Sequence, residues 1–444
     1  MRKNFHEVRD PIHVFVRLDN DEREVLDSPH FQRLRHIHQL ALTYLVYPGA
    51  THKRFEHSLE VMELASRVYD IVSHPDNVTD KIKDELPEVN NDEKRRYWRR
   101  IIPMAALCHD IGHLPFSHAA EKDLLPKGWD HEQLTKEIIL SDTMKEIWSK
   151  MTPPLRPEYI VKLAIGPKKA QDLDFSTWET ILSEIIVGDA FGVDRMDYLL
   201  RDSHHIGVAY GKFDHYRLID TLRILPSAPS GKNEENSEPA LGVEFGGFQS
   251  AEALILARYF MYSQVYFHPV RRIYDIHLKD FLKKWLPDNF FSTDLNEHLK
   301  ITDNEVTAGI YKASINSNDE LYNKARLLAF RKHFKLLYQA TPTDKDINLE
   351  AGQAIYESAK DKFGDDFVKH DYSHQKSGAP EFPVKMPDEQ IVSSLAIPST
   401  LSNMPVVSID YVFADREILP KAMKWLKVKK DEIIQMKIEE KKDG

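Results

Sequence analysis

Apolar residues recur at helical spacing through most of the chain, and strand-like alternation is rare. From Asp21 onward, Val25, Leu26, Phe31, Leu34 and Ile37 can share one helical face, with Ser28-Pro29 as a cap-like break. After the turn Pro48-Gly49-Ala50, residues 51–58 open a helix carrying Leu59, Met62, Leu64, Ala65, Val68 and Ile71, with His57 in its first turn. The polar stretch 73–100 reads as a loop leading into a charged helix, and the helix 97–109 holds the apolar run 101–107. Further helices are expected from Trp129-Asp130-His131, in proline-interrupted pieces over 152–170, and over 178–187, 194–205 and 420–428. Residues 248–286, rich in Tyr, Phe and Leu, read as one long helical stretch. Two short extended pieces flank Asp10-Pro11-Ile12-His13, where proline disfavours helix. Strands are expected over 218–225 and 241–245, joined by a polar loop, and again over 406–413. The charged tail 429–444 reads as a solvated helix. The pattern predicts a mainly α fold with a few short β-strands and a smaller α+β C-terminal region, divided into 1–290 and 291–444.

Composition narrows the class. The chain has 444 residues, 42% hydrophobic and 29% charged, as expected of an ordinary globular protein. Sixty Lys and Arg against seventy Asp and Glu give a net charge of −10, which argues against a general nucleic-acid surface. The single cysteine, Cys108, excludes an internal disulfide framework and, in its apolar run, is expected to be a small buried residue. No window approaches the ~18 apolar residues of a membrane helix, and the start of the chain lacks the apolar core of a signal peptide. The expected address is the cytoplasm, with no membrane partner.

Chemistry is concentrated in residues 107–118, where His109-Asp110, His113 and His118 follow the apolar run. Imidazole and carboxylate groups at the mouth of a buried helix are costly unless ligated or hydrogen-bonded. His57, His109, Asp110 and Asp194 can form one ligand set, suited to Mn, Fe, Zn or Co and less comfortably to Mg. Such an ion binds a phosphate oxygen or lowers the pKa of water. Spacing alone is equally compatible with exposed or helix-capping polar side chains.

These residues also carry a resemblance. His57, His109-Asp110 and the distant Asp194 are similar to the ligand pattern of HD-domain metal-dependent phosphohydrolases. Asp10-Pro-Ile-His13, Phe31-Gln-Arg-Leu-Arg35, residues 48–58, residues 107–118, Trp129-Asp-His-Glu-Gln133 and Asp194-Arg-Met-Asp-Tyr198 with Arg201-Asp202 occur in one branch in the same order. That branch is the deoxynucleoside triphosphate triphosphohydrolases, of the vertebrate sterile-alpha-motif-and-HD type and its compact bacterial relatives. The resemblance spans about residues 8–290, without a sterile-alpha-motif segment in this chain, so the compact bacterial members are the nearer expectation.

The resemblance implies an HD-type helical core that hydrolyses dNTPs to deoxynucleoside and inorganic triphosphate. His57, His109, Asp110 and Asp194 would hold a divalent metal. His118 would protonate the leaving 5′ oxygen, oriented by Glu121, His131 and Glu132. Arg54, His113 and Arg195 would contact the triphosphate. Gln39 and Asp202 would bind the sugar 3′-OH, with Leu40 a further substrate contact. Tyr198 and Tyr266 would pack the sugar, and Arg258, two helical turns before Tyr266, is expected in the same cleft with Tyr262. Asp27, Gln32 and Arg35 match an activator site for GTP or dGTP, whose filling accompanies tetramer formation in the family. The bland alternative for Asp27 and Arg35 is a surface ion pair on one helix, and without the resemblance Tyr198, Tyr262 and Tyr266, on apolar helices, suit a core better than a pocket. His204-His205 suits a capping or surface role better than ligation, because neighbouring side chains on a helix point apart. Two positions depart from the pattern: Arg195 stands where relatives commonly have lysine, and Tyr262 where the vertebrate type has histidine. Alternative functions are an HD phosphatase or phosphodiesterase on other nucleotides or nucleic-acid ends, and a non-enzymatic nucleotide sensor.

Overall fold

The computed structural model describes residues 5–117, 121–227, 238–375 and 378–440, which group into two compact units. In place of a single division at 290, the chain leaves the first unit after Met261 and returns to it at Phe291–Asn304 and Ala379–Met404. The physical reason lies in the contacts of the returning segments. Arg33 Nε donates to His298 O at 2.9 Å, Arg33 Nη2 donates to Ile301 O at 2.8 Å, and Phe291 N donates to Leu124 O at 2.9 Å. In the later segment Phe382 packs edge-on to Phe191, with ring centroids 4.7 Å apart.

Among the described residues there are nine strands: β1 His6–Asp10, β2 Val14–Leu18, β3 Leu222–Pro226, β4 Pro239–Glu244, β5 Lys335–Gln339, β6 Val368–His374, β7 Pro383–Lys385, β8 Ile391–Ser393 and β9 Ser408–Ala414. In the first unit β1 and β2 form an antiparallel hairpin, and β3-β4-β7-β8 form a small mixed sheet whose only parallel pairing is β4 with β7. The rest of this unit is mainly helical. Helix Arg54–Val72 packs on Asp92–Cys108, burying Leu64, Ala65 and Val68 from one and Ile101, Ala105 and Ala106 from the other. Helices Pro157–Ile165, Thr177–Val187 and Val193–Ile206 complete the bundle around that pair. Local signals set their ends. Asn91 Oδ1 accepts from Lys94 N, Ser176 forms a capping box with Glu179, and Gly207 closes Val193–Ile206 in the left-handed conformation.

The second unit combines helices such as Pro269–Trp285 and Ala351–Phe363 with a three-stranded antiparallel sheet in the order β5-β9-β6. Val412 and Ala414 face a cluster with Ile355, Val368 and Ile434, whereas Tyr411 and Phe413 face another with Phe267, Ile273 and Phe334. The two-residue period of β9 thus buries both its faces, which explains why it reads as a near-continuous apolar run.

Several expected elements shift. Residues 218–225 are not one strand, because His215–Thr221 is helical, capped by Asp214 on Arg217 N, and β3 begins only at Leu222. The stretch 248–286 is broken into Phe248–Met261, a π-helical turn Tyr262–Tyr266, and Pro269–Trp285 with its proline in the first turn. The tail is helical within Leu419–Glu440, but Ile433 and Ile434 are buried in the second unit's core, so its first part is not merely solvated.

Candidate metal centre

The central groups stand at the ends of three helices. His57 lies in the first turn of Arg54–Val72, His109 caps the end of Asp92–Cys108 with Asp110 next, and Asp194 lies in the first turn of Val193–Ile206. His57, His109 and Asp110 bring ligand atoms within 4.8 Å of one another. Asp194 Oδ1 lies 3.1 Å from His57 Nε2 and 3.5 Å from His109 Nε2. Asp110 completes the set, with Oδ2 3.6 Å from His57 Nε2 and Oδ1 3.5 Å from His109 Nε2.

Each imidazole is oriented from behind. His57 Nδ1 meets Asp197 Oδ2 at 2.7 Å, and His109 Nδ1 donates to Ala106 O at 2.8 Å. Both Nε2 atoms are therefore directed inward, buried and without a hydrogen-bond partner among the described residues. Bare ring nitrogens converging with two carboxylates on one point make a donor set that fits a divalent cation. Negative charge gathers at this point. Burial would lower the His57 ring, yet the flanking carboxylates Asp194 and Asp197 push it up to about 10, so a cation bound there would take the place of that proton. Burial would raise Asp110, but Arg54, His109 and His113 hold it well below the usual carboxylate range. Asp194 is likewise lowered against its burial by the two imidazoles.

A charged layer supports these ligands. Arg201 is fully buried and donates to both oxygens of Asp197 at 2.9 Å and to Asp10 Oδ2 at 2.9 Å, tying the β1–β2 hairpin to helix Val193–Ile206. Beside it His13 Nε2 lies 3.6 Å from Asp197 and 3.8 Å from Glu60. Asp197 carries no role in the sequence reading, although its place three residues after Asp194 puts both carboxylates on one helix face.

Between His109 and Ser117 the backbone is tightly constrained. A Cβ on Gly112 would meet His131 O and Thr135 N at 2.4 Å, so only glycine lets this turn approach helix His131–Ile139. Phe116 and Ser117 have φ of 57° and 56°, left-handed values that cost a non-glycine residue about 1–2 kcal/mol each. Arg54 bridges the two ends of this turn, donating from Nη1 to Asp110 Oδ2 and from Nε to Ser117 Oγ at 2.8 Å. Cys108 is buried behind it and its thiol is pushed up by burial, as a small packing residue.

The remaining expected site residues divide by location. His118 lies outside the described residues. His131 takes Glu121 Oε1 at 2.6 Å and Glu132 Oε2 at 3.1 Å on Nδ1, and its ring stacks on His113 at 3.9 Å. Burial lowers His131, but Glu121 and Glu132 raise it overall, while burial and Arg54 hold His113 well below the usual imidazole range. Asp202 Oδ1 meets His52 Nε2 at 2.8 Å, and His52 stacks on His205 at 4.4 Å. Gln39 Oε1 is buried without a hydrogen-bond partner among the described residues, and Leu40 is buried next to it. Arg195 donates to the carbonyls of Gly188, at 3.0 Å, and Asp189 in the turn before its own helix, on which Tyr198 follows. Arg258 is buried in the last turn of Phe248–Met261 in the first unit, whereas Tyr262 and Tyr266 stand in the π-helical turn of the second, their rings 5.1 Å apart. The interposed π turn replaces the regular helical spacing expected between Arg258 and Tyr266. The Asp27–Arg35 ion pair does not form. Asp27 pairs with Arg23 at 3.0 Å, Gln32 Nε2 donates to Leu26 O at 2.8 Å, and Arg35 donates to Gln32 at 2.8 Å while covering the Phe55 ring.

Comparison with known proteins places this centre. Residues 54–149 match the HD domain family and residues 213–354 match the HD-associated region. An uncharacterized protein of Methanocaldococcus jannaschii is 35% identical over 61% of this chain and 48% of its own length. Deoxynucleoside triphosphate triphosphohydrolase SAMHD1 of Homo sapiens is 28% identical over 76% of this chain and 55% of its own length. The chain thus spans about half the length of the curated relatives it matches. A solved structure of a hypothetical protein from Aquifex aeolicus is 31% identical, with a TM-score of 0.75 over 95% of this chain and 100% of that one. The His-Asp pair at the centre lies inside the matched HD segment, and its mainly helical surroundings agree with that match. The chain belongs to the HD-domain family.

Proposed function

We propose that the protein is a metal-dependent phosphohydrolase that converts deoxynucleoside triphosphates to deoxynucleoside and inorganic triphosphate. The observation that carries the phosphohydrolase part is the convergence of His57 Nε2, His109 Nε2, Asp110 and Asp194 beside the buried Arg54 guanidinium. The dNTP part rests on the ordered motif match and on the likeness to SAMHD1, whose name states that activity. His57, His109, Asp110 and Asp194 would hold a divalent cation, which would supply positive charge to a phosphate oxygen and acidify water.

The chain's own groups do the rest. Arg54 binds a phosphate oxygen through the fork of donors that a guanidinium presents. His113, neutral in its buried setting, offers a hydrogen bond without adding charge. His118 protonates the leaving 5′ oxygen, and Glu121, His131 and Glu132 orient and tune it. Gln39, Leu40, Asp202, Tyr198, Tyr262, Tyr266, Arg195 and Arg258 bind the nucleotide. In the same reading GTP or dGTP acts as activator at Asp27, Gln32 and Arg35, and the working form is a tetramer.

The test is product analysis by chromatography after incubating Mn- or Mg-loaded protein with each dNTP, alone and with GTP or dGTP. Triphosphate and deoxynucleoside are expected. Orthophosphate or a nucleotide product would instead favour a phosphatase or phosphodiesterase, and tight nucleotide binding without turnover a sensor. His118→Ala should abolish turnover and leave substrate binding within a few-fold, because an acid acts at the bond-breaking step; an unchanged rate removes His118 from the mechanism.

A further inference from the structure

We infer that Asp303 is a positioning residue for Arg54, acting through His38, Lys53 and the loop Phe116–Ser117. The inference rests on the reading of Arg54 as a phosphate-binding group. Asp303 sits in the returning segment Phe291–Asn304 of the first unit, is 1% exposed, and among the described residues forms no hydrogen bond or ion pair with His57, His109, Asp110 or Asp194. Its carboxylate nonetheless accepts three hydrogen bonds from the segments around them. Oδ2 takes the His38 backbone N–H at 2.8 Å and the His38 ring at 2.6 Å, and Oδ1 takes the Phe116 N–H at 2.7 Å.

The donor directions follow from chemistry. A carboxylate only accepts, so His38 Nδ1 carries the proton and Nε2 is left to accept, as Lys53 Nζ does require at 2.6 Å. Lys53 directly precedes Arg54, and Arg54 N donates to Ile37 O at 3.0 Å, so His38 is gripped on both sides by the strand-like bridge that carries Arg54. On the other side Ser117 Oγ donates its proton to His38 O at 3.1 Å, which turns its lone pairs toward Arg54 Nε. The guanidinium is therefore fixed at Nε by Ser117 and at Nη1 by Asp110, and Nη2 is its open edge among the described residues. The Phe116–Ser117 backbone that presents this hydroxyl has left-handed φ at both residues, a conformation that persists only where its surroundings hold it. Asp303 supplies that hold and at the same time sets the His38 tautomer. One carboxylate, distant in sequence from every ligand, thus fixes the direction in which the phosphate-binding edge of Arg54 faces.

The experiment is a double-mutant cycle between Asp303 and Arg54, read by affinity for inorganic triphosphate and by metal content in the full chain. Asp303→Asn should keep wild-type metal content and weaken triphosphate binding by roughly tenfold, the scale typical of supporting hydrogen bonds. Arg54→Ala should weaken it at least as much, and the double variant should be no weaker than Arg54→Ala alone, because Asp303 acts through Arg54. Additive losses, or binding by Asp303→Asn within twofold of wild type, would overturn the inference. If Asp303→Asn does not fold, Lys53→Met and His38→Gln cut the same network nearer the surface and must show the same non-additivity with Arg54→Ala. Triphosphate binding does not require turnover. A wild-type protein that binds triphosphate but hydrolyses no dNTP would refute the proposed reaction and leave the cycle readable, whereas loss-free Arg54→Ala would refute the inference itself.

Discussion

At the scale of single residues, the centre is a set of imidazoles whose two nitrogens have separate tasks, one held by protein and one turned inward. The adjacent pair His109-Asp110 was legible in the sequence because an apolar run feeds directly into it. Asp197 and Asp303 were not, since each acts on a partner 140 or more residues away, and no local pattern reports such a contact. Glu60 shows what the buried layer costs. Its carboxyl is fully buried, neither oxygen has a hydrogen-bond partner among the described residues, and burial followed by the Asp10 and Asp197 charges pushes it up to about 9. An unfolded Glu ionises near 4.5, so the folded chain holds a proton between about pH 4.5 and 9 that the unfolded chain has lost. This part of stability is complete below 4.5 and declines as pH rises toward 9, by up to about 1.4 kcal/mol per pH unit. Glu60→Gln keeps the shape and removes the titration. Its thermal unfolding temperature relative to wild type should therefore rise from about pH 5 to about pH 8, and a difference independent of pH would refute the assignment.

At the scale of elements, the helices were the readable part, because a 3.6-residue apolar period and a capping residue announce each one. The errors fall where tertiary contacts overrule a weak local signal. Strands β7 and β8 have three residues each and exist through pairing with β4 and with one another. The first half of the strand expected over 218–225 was claimed by a helix once Asp214 capped it. The hairpin β1–β2 and helix Val193–Ile206 are joined by Arg201, which pairs with Asp10 and Asp197 while fully buried. Arg201→Met would leave two buried carboxylates without their cation, a change that costs about 3–5 kcal/mol. Urea unfolding should report that loss, together with weaker metal retention because Asp197 no longer holds His57 firmly. A variant with near wild-type stability would show that Arg201 is not the tie between these elements.

At the scale of the whole molecule, the proposed ligands come from the ends of three helices, which makes the folded first unit a precondition for the site. Metal binding should accordingly stabilise the native state by mass action, about 2.7 kcal/mol when free metal is a hundredfold above its dissociation constant. Stripping the protein with chelator should lower its unfolding temperature, and re-adding Mn should restore it in wild type but not in a His57→Ala, Asp194→Ala double variant. Equal unfolding temperatures with and without metal would count against the site. The return of two segments to the first unit after residue 290 was not legible, because they carry no motif and are held by backbone hydrogen bonds, strand pairing, the Phe382 ring and one aspartate. That arrangement has a consequence in time. Asp303 is synthesised 187 residues after the Phe116 amide it receives, an interval of roughly 10–40 s at ordinary rates of translation. On the proposed function, a nascent chain can thus gather all four metal-binding groups well before Arg54 is set for phosphate, and the growing polypeptide would pass through a period in which it takes up an ion and has not yet acquired its full grip on a nucleotide.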